Sequence, residues 1–201
     1  MLPLILASSS QYRGQILAKL TLPFTSQAAN IDESSLNNES ACQLVKRLSL
    51  AKAEKIAQNH PQHLIIGSDQ VAEVGGRILT KPNSPKHAQE QLALSSGKEV
   101  VFSTGLALLN TKTGRKHYGL ETTTVTFREL STLQIERYLE AEQPYDCAGS
   151  FKSEALGILL IDRIQSRDPN SLIGLPLILL IDFLYAEGVN LPLTPRPHKT
   201  I

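Results

Sequence analysis

The sequence has little excess charge, few cysteines and no long uninterrupted apolar run. Its 20 Lys and Arg residues nearly balance its 19 Asp and Glu residues, so the formal net charge is only +1. A protein that binds DNA or an acidic membrane by bulk electrostatics needs a larger positive charge. The composition therefore argues against nucleic acid and membrane surfaces as partners.

Only two cysteines occur among the 201 residues, Cys42 and Cys147, and they lie far apart in the chain. They form neither a disulfide framework nor a CxxC metal-binding motif. This usage is typical of two buried, reduced thiols in an intracellular protein. We therefore expect a cytoplasmic location.

No segment has the length and apolarity of a secretory or membrane-spanning sequence. The run Leu2–Ala7 is too short and lacks the basic residues of a signal peptide. The run Leu172–Leu184 is interrupted by Gly174, Pro176 and Asp182, and it falls short of the roughly 20 residues that a span requires. It predicts a buried helix.

Alternating strand and helix signals predict a mixed α/β protein. Apolar or alternating runs predict strands over 4–7, 24–28, 63–67, 100–109, 117–127 and 156–161, and Gly75-Gly76 predicts a hairpin between 71–74 and 77–79. Capping patterns begin at Ser40, Ser84 and Ser131. Helices are predicted over 11–20, from 41 to about 58, from 85, from 132 to before 144, and over 176–187.

No repeat, low-complexity tract or linker divides the chain. We therefore predict one domain over residues 1–190, built as two lobes around a cleft. Residues 191–201 contain three prolines and are predicted to form a mobile tail.

The segment Ser8-Ser-Ser-Gln-Tyr-Arg13 follows the first predicted strand and opens the first predicted helix. Free amides at a helix N-terminus, with hydroxyls beside them, favour an anion. Arg13 adds a planar fork that can hold two phosphate oxygens. The segment predicts a phosphate site, and a simple helix cap at Ser8 or Ser10 is the competing interpretation.

Asp69 follows the apolar run Leu64-Ile-Ile-Gly67, and we expect it at the end of that strand. A carboxylate there can bind a divalent metal or take a proton from water, and a turn Asp is the competing interpretation. Lys52 and Lys81 could supply positive charge to a phosphoryl group. Both lysines, and Glu33 in a polar loop, could equally be solvated surface groups.

The segment Gly149-Ser-Phe-Lys-Ser-Glu154 comes directly before a predicted strand. It combines two small residues, an aromatic residue, a lysine and a carboxylate, which is typical of a binding loop. An ordinary exposed connection is the competing interpretation.

Five ordered motifs together resemble the Maf family of nucleotide pyrophosphatases, over about residues 3–188. They are Leu6-Ala-Ser-Ser-Ser with Arg13, Ile66-Gly-Ser-Asp-Gln70, Thr80-Lys-Pro82, Ala148-Gly-Ser-Phe-Lys-Ser-Glu154 and Gly174-Leu-Pro-Leu177. The resemblance implies an α/β fold with a mixed sheet in two lobes around a central cleft, similar to the inosine-triphosphate pyrophosphatases. It implies hydrolysis of a nucleoside triphosphate to the monophosphate and pyrophosphate, assisted by a divalent metal such as Mg²⁺ or Mn²⁺.

The resemblance also assigns roles. Asp69 resembles the family's catalytic proton acceptor and is a candidate metal ligand. The phosphate-binding start corresponds to Ser8, Ser10 and Arg13, and the polar groups lining the family's cleft correspond to Glu33, Lys52, Lys81 and Lys152. The family also implies that a homodimer is an option.

Gln70 and the Ser150–Glu154 pattern are similar to the 7-methyl-GTP branch of the family. The dTTP/UTP branch has a different residue after the catalytic Asp and a Gln-containing loop. Tyr12 lies where the first branch has its aromatic specificity residue, and an aromatic face attracts the cationic 7-methylguanine. Glu154 could accept hydrogen bonds from N1–H and the exocyclic amine of guanine.

One departure concerns the phosphate site, because Gly14 replaces a second Arg that the family often has after Arg13. The leading hypothesis is a 7-methyl-GTP pyrophosphatase. The alternatives are a pyrophosphatase of dTTP, UTP or other non-standard nucleotides, and a nucleotide-binding regulator of cell division with little turnover. Asp69 favours turnover, because a pure binding site needs no water-activating carboxylate.

Overall fold

The computed structural model describes residues 1–191, so the predicted tail lies, apart from residue 191, outside the described residues. Seven strands form one mixed sheet in the order β2-β1-β3-β5-β6-β7, with β4 paired to β3 off this path. They are β1 (Leu4–Leu6), β2 (Phe24–Ser26), β3 (Leu64–Val74), β4 (Arg77–Leu79), β5 (Glu99–Asn110), β6 (Lys116–Phe127) and β7 (Ile161–Gln165).

Five helices pack on this sheet: α1 (Gln11–Ala18), α2 (Ala41–Ala57), α3 (Pro85–Ser95), α4 (Thr132–Glu142) and α5 (Leu177–Ala186). The predicted capping boxes at Ser40 and Ser131 are both present, and Ser84 caps α3 with Pro85 in its first turn. Within residues 1–191 no helix has the length and apolarity needed to cross a membrane.

Strand β3 is paired unequally on its two sides. Along one side it runs antiparallel to β5 from Leu64 to Glu73. Along the other side, β1 pairs with Leu64–Ile66 and β4 pairs with Ala72–Val74. Within residues 1–191 no strand pairs with residues 67–71 on that side, so the sheet has a gap there between β1 and β4.

Two apolar clusters form the predicted lobes. One joins β1, α1 and α5 to the first half of β3, where Leu64 and Ile66 are buried. The other joins β4, α3 and α4 to the second half of β3 and includes Phe102 and Phe151. The long strands β3 and β5 contribute to both clusters, which makes the lobes two ends of one sheet.

Helix α2 lies unusually close to the strands beneath it. A Cβ added at Gly67 would lie 2.1 Å from the Ser49 carbonyl oxygen, and one added at Gly105 would lie 2.6 Å from Ser49 Oγ. These two glycines are required because no side chain fits between helix and sheet. Their absence of side chains lets α2 bring Lys52 down onto β3.

Two sequence predictions about the elements are wrong. Leu156–Leu160 forms a 3₁₀ helix, and the strand begins only at Ile161. The strand predicted to stop at Gly67 continues through Gly-Ser-Asp-Gln to Val74. The first error arises because a short apolar run fits a helix or a strand equally well. The second arises because the polar stretch Gly-Ser-Asp-Gln resembles a turn in sequence.

Candidate active site

A cavity of about 690 Å³ opens at the gap beside β3. Small-molecule sites usually enclose about 300–1,000 Å³. The cavity is lined by the β1–α1 turn, residues 28–31 after β2, Glu33, Lys52, Gln70, Lys81, residues 146–148, Phe151, Glu154 and residues 172–173. Most of the residues singled out from the sequence therefore converge on one cavity.

We call the first side the phosphate end, defined by Ser8, Ser10, Arg13, Lys52 and Asp69. Ser10 is the N-cap of α1, and its Oγ accepts a hydrogen bond from the Arg13 backbone N–H at 3.4 Å. Ser8 Oγ accepts one from the Ser10 N–H at 3.1 Å. The capping interpretation is therefore confirmed for Ser10. Both hydroxyls still line the cavity at the start of a helix, where anions are favoured.

Arg13 is held in place by the far end of the chain. Its Nε donates to the Gly174 carbonyl oxygen at 2.9 Å, and the same oxygen accepts a hydrogen bond from Ser68 Oγ at 2.9 Å. Burial lowers the pKa of the Arg13 guanidinium, while the charges of Asp69 and Glu33 oppose that shift. The guanidinium thus lies in a desolvated position beside two carboxylates.

Lys52 joins Asp69 and Glu33. Its Nζ lies 2.7 Å from Asp69 Oδ1 and 2.8 Å from Glu33 Oε1. Asp69 is 5% exposed and lies inside β3, so its predicted position at a strand end is wrong. Asp69 is not among the residues that line the cavity, and it is joined to the cavity wall through Lys52, which does line it. Among the described residues, only Lys52 engages the Asp69 carboxylate, through Oδ1.

Lys81 lies across the cavity on the segment that follows β4. Partial burial raises the pKa of Glu33, but Lys52, Lys81 and Arg13 outweigh this effect, and the net shift is downward. The two lysines and the arginine therefore act on one carboxylate. This arrangement concentrates positive charge where the phosphates of a nucleotide could bind.

Asp69 and Glu33 are the candidate ligands for the divalent metal that the resemblance implies. Among residues 1–191, no group of three or more His, Cys, Asp or Glu side chains could hold a metal alone. Mg²⁺ is commonly bound by one or two carboxylates together with substrate phosphates and water. Asp69 and Glu33 converge on one Lys52 ammonium group and fit that minimal requirement.

We call the opposite side the base end, defined by Tyr12 and the loop Gly149–Glu154, termed the base loop. Gly149 and Ser150 both have positive φ angles, 68° and 57°. This reversal turns Phe151 and Glu154 into the cavity wall. Phe151 also packs against Phe102 in the second apolar cluster, so the base end is anchored in that lobe.

Lys152 does not line the cavity but contacts residues around it. Its Nζ lies 5.8 Å from the Tyr12 ring centroid and 3.4 Å from Glu142 Oε1. Burial lowers the Lys152 pKa, while Tyr12 and Glu142 raise it, and the net shift is upward. The aromatic face predicted to attract a cationic base therefore already lies near one ammonium group of the protein.

Two residues expected to recognise the base, Glu154 and Gln70, have surroundings that the sequence did not predict. Glu154 lines the cavity and is exposed, so solvent also reaches the carboxylate that was expected to accept hydrogen bonds from guanine. Gln70 lines the cavity, yet its Nε2 contacts Thr104 Oγ1, the Ser171 carbonyl and the Leu172 carbonyl, at 3.0, 2.9 and 2.9 Å. Its amide nitrogen is thus engaged in holding a loop.

The sequence did not predict that Asp168–Gly174 forms one hydrogen-bonded loop. Asp168 is fully buried, and its Oδ2 accepts the Ile178 N–H at 2.8 Å, which caps α5 where Pro176 offers no side-chain acceptor. Ser171 Oγ donates to the Asp168 carbonyl at 2.6 Å. The signal for it was Pro176 before α5, because a proline has no side-chain acceptor and the first N–H groups of the helix then need an acceptor from another residue.

The two cysteines are free, as expected. Cys42 is exposed and Cys147 is only partly buried, so the predicted burial of both thiols is wrong. Cys147 lines the cavity, and burial raises the pKa of its thiol to about 12. A protonated thiol is a weak nucleophile, which argues against Cys147 as the attacking group.

Comparison with known proteins gives consistent matches along the chain. A family model described as Maf-like protein matches residues 3–187. A 7-methyl-GTP pyrophosphatase of Pseudomonas fluorescens is 56% identical, over 96% of this chain and 100% of the relative. Proteins with the same name from Alcanivorax borkumensis and Pseudomonas aeruginosa are 55% and 54% identical, each over 94% of this chain and over 96% and 98% of their own lengths.

Among solved structures, a HAM1 protein from Coxiella burnetii is similar with a TM-score of 0.43 and 13% identity. The alignment covers 65% of this chain and 75% of that one.

Proposed function

This chain belongs to the Maf family, and we propose that it is a nucleoside triphosphate pyrophosphatase that hydrolyses 7-methyl-GTP to 7-methyl-GMP and pyrophosphate. The observation that carries the proposal is the single cavity that joins the phosphate end to the base end. Relatives of nearly equal length that bear the name 7-methyl-GTP pyrophosphatase support the same substrate.

In the proposed reaction, water attacks the α-phosphorus and the bond to the β-phosphate oxygen breaks. Asp69 takes the proton of the attacking water through its carboxylate, and pyrophosphate leaves with the electron pair of the broken bond. Lys52 holds Asp69 in position at 2.7 Å. Arg13 and Lys81 offset the negative charge that develops on the phosphate oxygens.

A divalent cation bound with the substrate would neutralise phosphate charge. Asp69 and Glu33 are the carboxylates that would hold it, together with phosphate oxygens. Their shared contact with Lys52 supports this assignment, because both already converge on one positive charge.

The base preference is proposed to arise from the opposite end of the cavity. Tyr12 would stack on the cationic 7-methylguanine, and Glu154 would accept hydrogen bonds from its donor edge. Because Glu154 is exposed, its contribution is smaller than that of a buried carboxylate.

We further propose that the protein acts on free nucleotides in the cytoplasm. Two free thiols and a net charge of +1 support this setting. A homodimer is a hypothesis that comes from the family resemblance alone.

The experiment is a pyrophosphate-release assay over a panel containing 7-methyl-GTP, GTP, dTTP and UTP, with Mg²⁺, with Mn²⁺ and with a chelator. We expect the highest kcat/KM for 7-methyl-GTP and loss of turnover with the chelator. A preference for dTTP or UTP would favour the other branch of the family. The absence of pyrophosphate release from every nucleotide would contradict the proposed function.

A further inference from the structure

A bend in the base loop depends on one buried hydroxyl. Ser150 is fully buried and has a φ of 57°, a region that is unfavourable for residues other than glycine. Its Oγ donates a hydrogen bond to Gln91 Oε1 at 2.7 Å. The contact offsets part of the cost of a bend that turns Phe151 and Glu154 into the cavity wall.

The other side of the same amide holds the segment that carries Lys81. Gln91 Nε2 donates to the carbonyl oxygen of Thr80 at 2.8 Å. Thr80 immediately precedes Lys81, which lines the cavity. Gln91 lies on α3, so both contacts are made from a regular helix packed in the second apolar cluster.

The two contacts use the two different atoms of one amide. A hydroxyl donor faces the amide oxygen, and a carbonyl acceptor faces the amide nitrogen, so the orientation of the side chain is chemically determined. A second link joins the same segments, because the Asn83 N–H donates to the Tyr145 carbonyl oxygen at 3.2 Å. The Lys81 segment and the chain leading into the base loop are thus connected at two points.

We propose that Gln91 is a positioning residue that sets the base loop and Lys81 in fixed relation. The inference rests on the proposed function, since it assigns base recognition to one of these segments and phosphate charge to the other. Gln91 touches neither substrate nor reacting atoms. It acts through Ser150 on base preference and through Thr80 on turnover.

Two variants separate the contact with Ser150 from the contact with Thr80. Ser150→Gly removes the hydroxyl and relieves the backbone strain, so it isolates the loop contact. Gln91→Glu keeps an oxygen acceptor for Ser150 but removes the N–H that Thr80 accepts. We expect Ser150→Gly to lower the ratio of kcat/KM for 7-methyl-GTP to that for dTTP by about 2- to 5-fold. We expect Gln91→Glu to lower kcat for both nucleotides by a similar factor, with that ratio preserved.

Gln91→Leu removes both contacts and should show both effects. Adding Ser150→Gly to it should change the ratio little further, because the two variants remove the same hydrogen bond. The matched control is Gln89→Leu on the same helix, since Gln89 makes no side-chain hydrogen bond among residues 1–191. A wild-type ratio in folded Ser150→Gly, or an equal loss of ratio in Gln89→Leu, would overturn the inference.

Hydrogen–deuterium exchange gives a readout that does not depend on turnover. In Gln91→Leu we expect faster exchange at residues 80–83 and 149–154 together, and wild-type exchange at both in Gln89→Leu. If the wild-type protein hydrolyses no nucleotide, the proposed function fails while this coupling is still measured. Unchanged exchange at both segments in Gln91→Leu would overturn the positioning role itself.

Discussion

The two ends of the cavity are built differently. At the phosphate end, Lys52 and Asp69 are 6% and 5% exposed and belong to a helix and a strand packed against each other. At the base end, Glu154 is exposed on a loop whose bend is held by a hydrogen bond from Ser150. Lys52 and the proposed base Asp69 thus lie on two packed regular elements, whereas the base end combines Tyr12 on α1 with an exposed loop.

This difference has a kinetic consequence. Changes at the phosphate end should lower turnover of every nucleotide, because all substrates share the same triphosphate. Changes at the base end should alter the ratio between nucleotides. Four variants test that division, from the largest expected effect to the smallest.

The largest effect is expected for Asp69→Asn, which keeps the shape but removes the proposed base. The loss of a positioned general base lowers turnover by roughly 10²-fold or more. The fall should be equal for 7-methyl-GTP and dTTP. The control is Glu73→Gln, another carboxylate on β3. Wild-type turnover in Asp69→Asn would show that Asp69 is not the general base.

A tenfold effect is expected for Gly105→Ala, which tests the close packing of α2 on the sheet. The added Cβ would lie 2.6 Å from Ser49 Oγ and 2.7 Å from the Val45 carbonyl oxygen. Overpacking of this kind costs about 1–3 kcal/mol of stability, and the displaced helix would carry Lys52 away from Asp69. We expect kcat to fall by about 10-fold for all nucleotides at a temperature where the variant is folded.

Gly14→Ala is the matched control for that substitution. Gly14 lies within α1, and an added Cβ there has no neighbour within 4 Å. Replacing glycine by alanine inside a helix stabilises it by roughly 0.5–1 kcal/mol. We expect a slightly higher melting temperature and unchanged kcat. Equal activity losses in both glycine variants would argue against the packing explanation.

A smaller effect, greater for the methylated substrate than for GTP, is expected for Tyr12→Ala. A cation–π contact contributes about 0.5–1 kcal/mol at exposed sites, so 7-methyl-GTP should lose about 2- to 5-fold more in kcat/KM than GTP. Lys152→Met provides a second measurement, because it removes the ammonium group near the Tyr12 ring. Equal losses for both nucleotides in Tyr12→Ala would mean that the ring only packs.

An effect no larger than that of Tyr12→Ala is expected for Glu154→Gln, which replaces one acceptor oxygen by a donor. Water can solvate the exposed side chain, so the mismatch should cost no more than about 1 kcal/mol. We expect the 7-methyl-GTP to dTTP ratio to fall by about 2- to 5-fold. Steady-state kinetics on both nucleotides measures the ratio, and an unchanged value would exclude Glu154 from base recognition.

Local features of the fold were predictable from sequence. The capping boxes at Ser40 and Ser131 and the hairpin at Gly75-Gly76 are each specified by neighbouring residues, and all are present. The passage of β3 through Asp69 was not predictable. Its polar Gly-Ser-Asp-Gln stretch resembles a turn, and only pairing with β5, about 35 residues later in the chain, makes it a strand.

For the site, too, the sequence predicted which residues come together but not the contacts that hold them in place. The ordered motifs indicated which side chains would converge, since most of them line the cavity. The contacts that position them were not visible, because Arg13 is bound by Gly174 and Gln91 by Ser150. Backbone carbonyls and distant hydroxyls leave no pattern in a single sequence.

The bond between Arg13 and the Gly174 carbonyl has a consequence for biosynthesis. The two residues are 161 positions apart, and a ribosome adds about 5–20 residues per second. Only 17 positions separate Lys52 from Asp69, so this pair can meet once β5, which ends at Asn110, has paired with β3. The guanidinium, in contrast, has no Gly174 carbonyl to bind until residue 174 has been made. A nascent chain that stops before Gly174 can therefore hold the Lys52–Asp69 pair but lacks the contact that fixes Arg13.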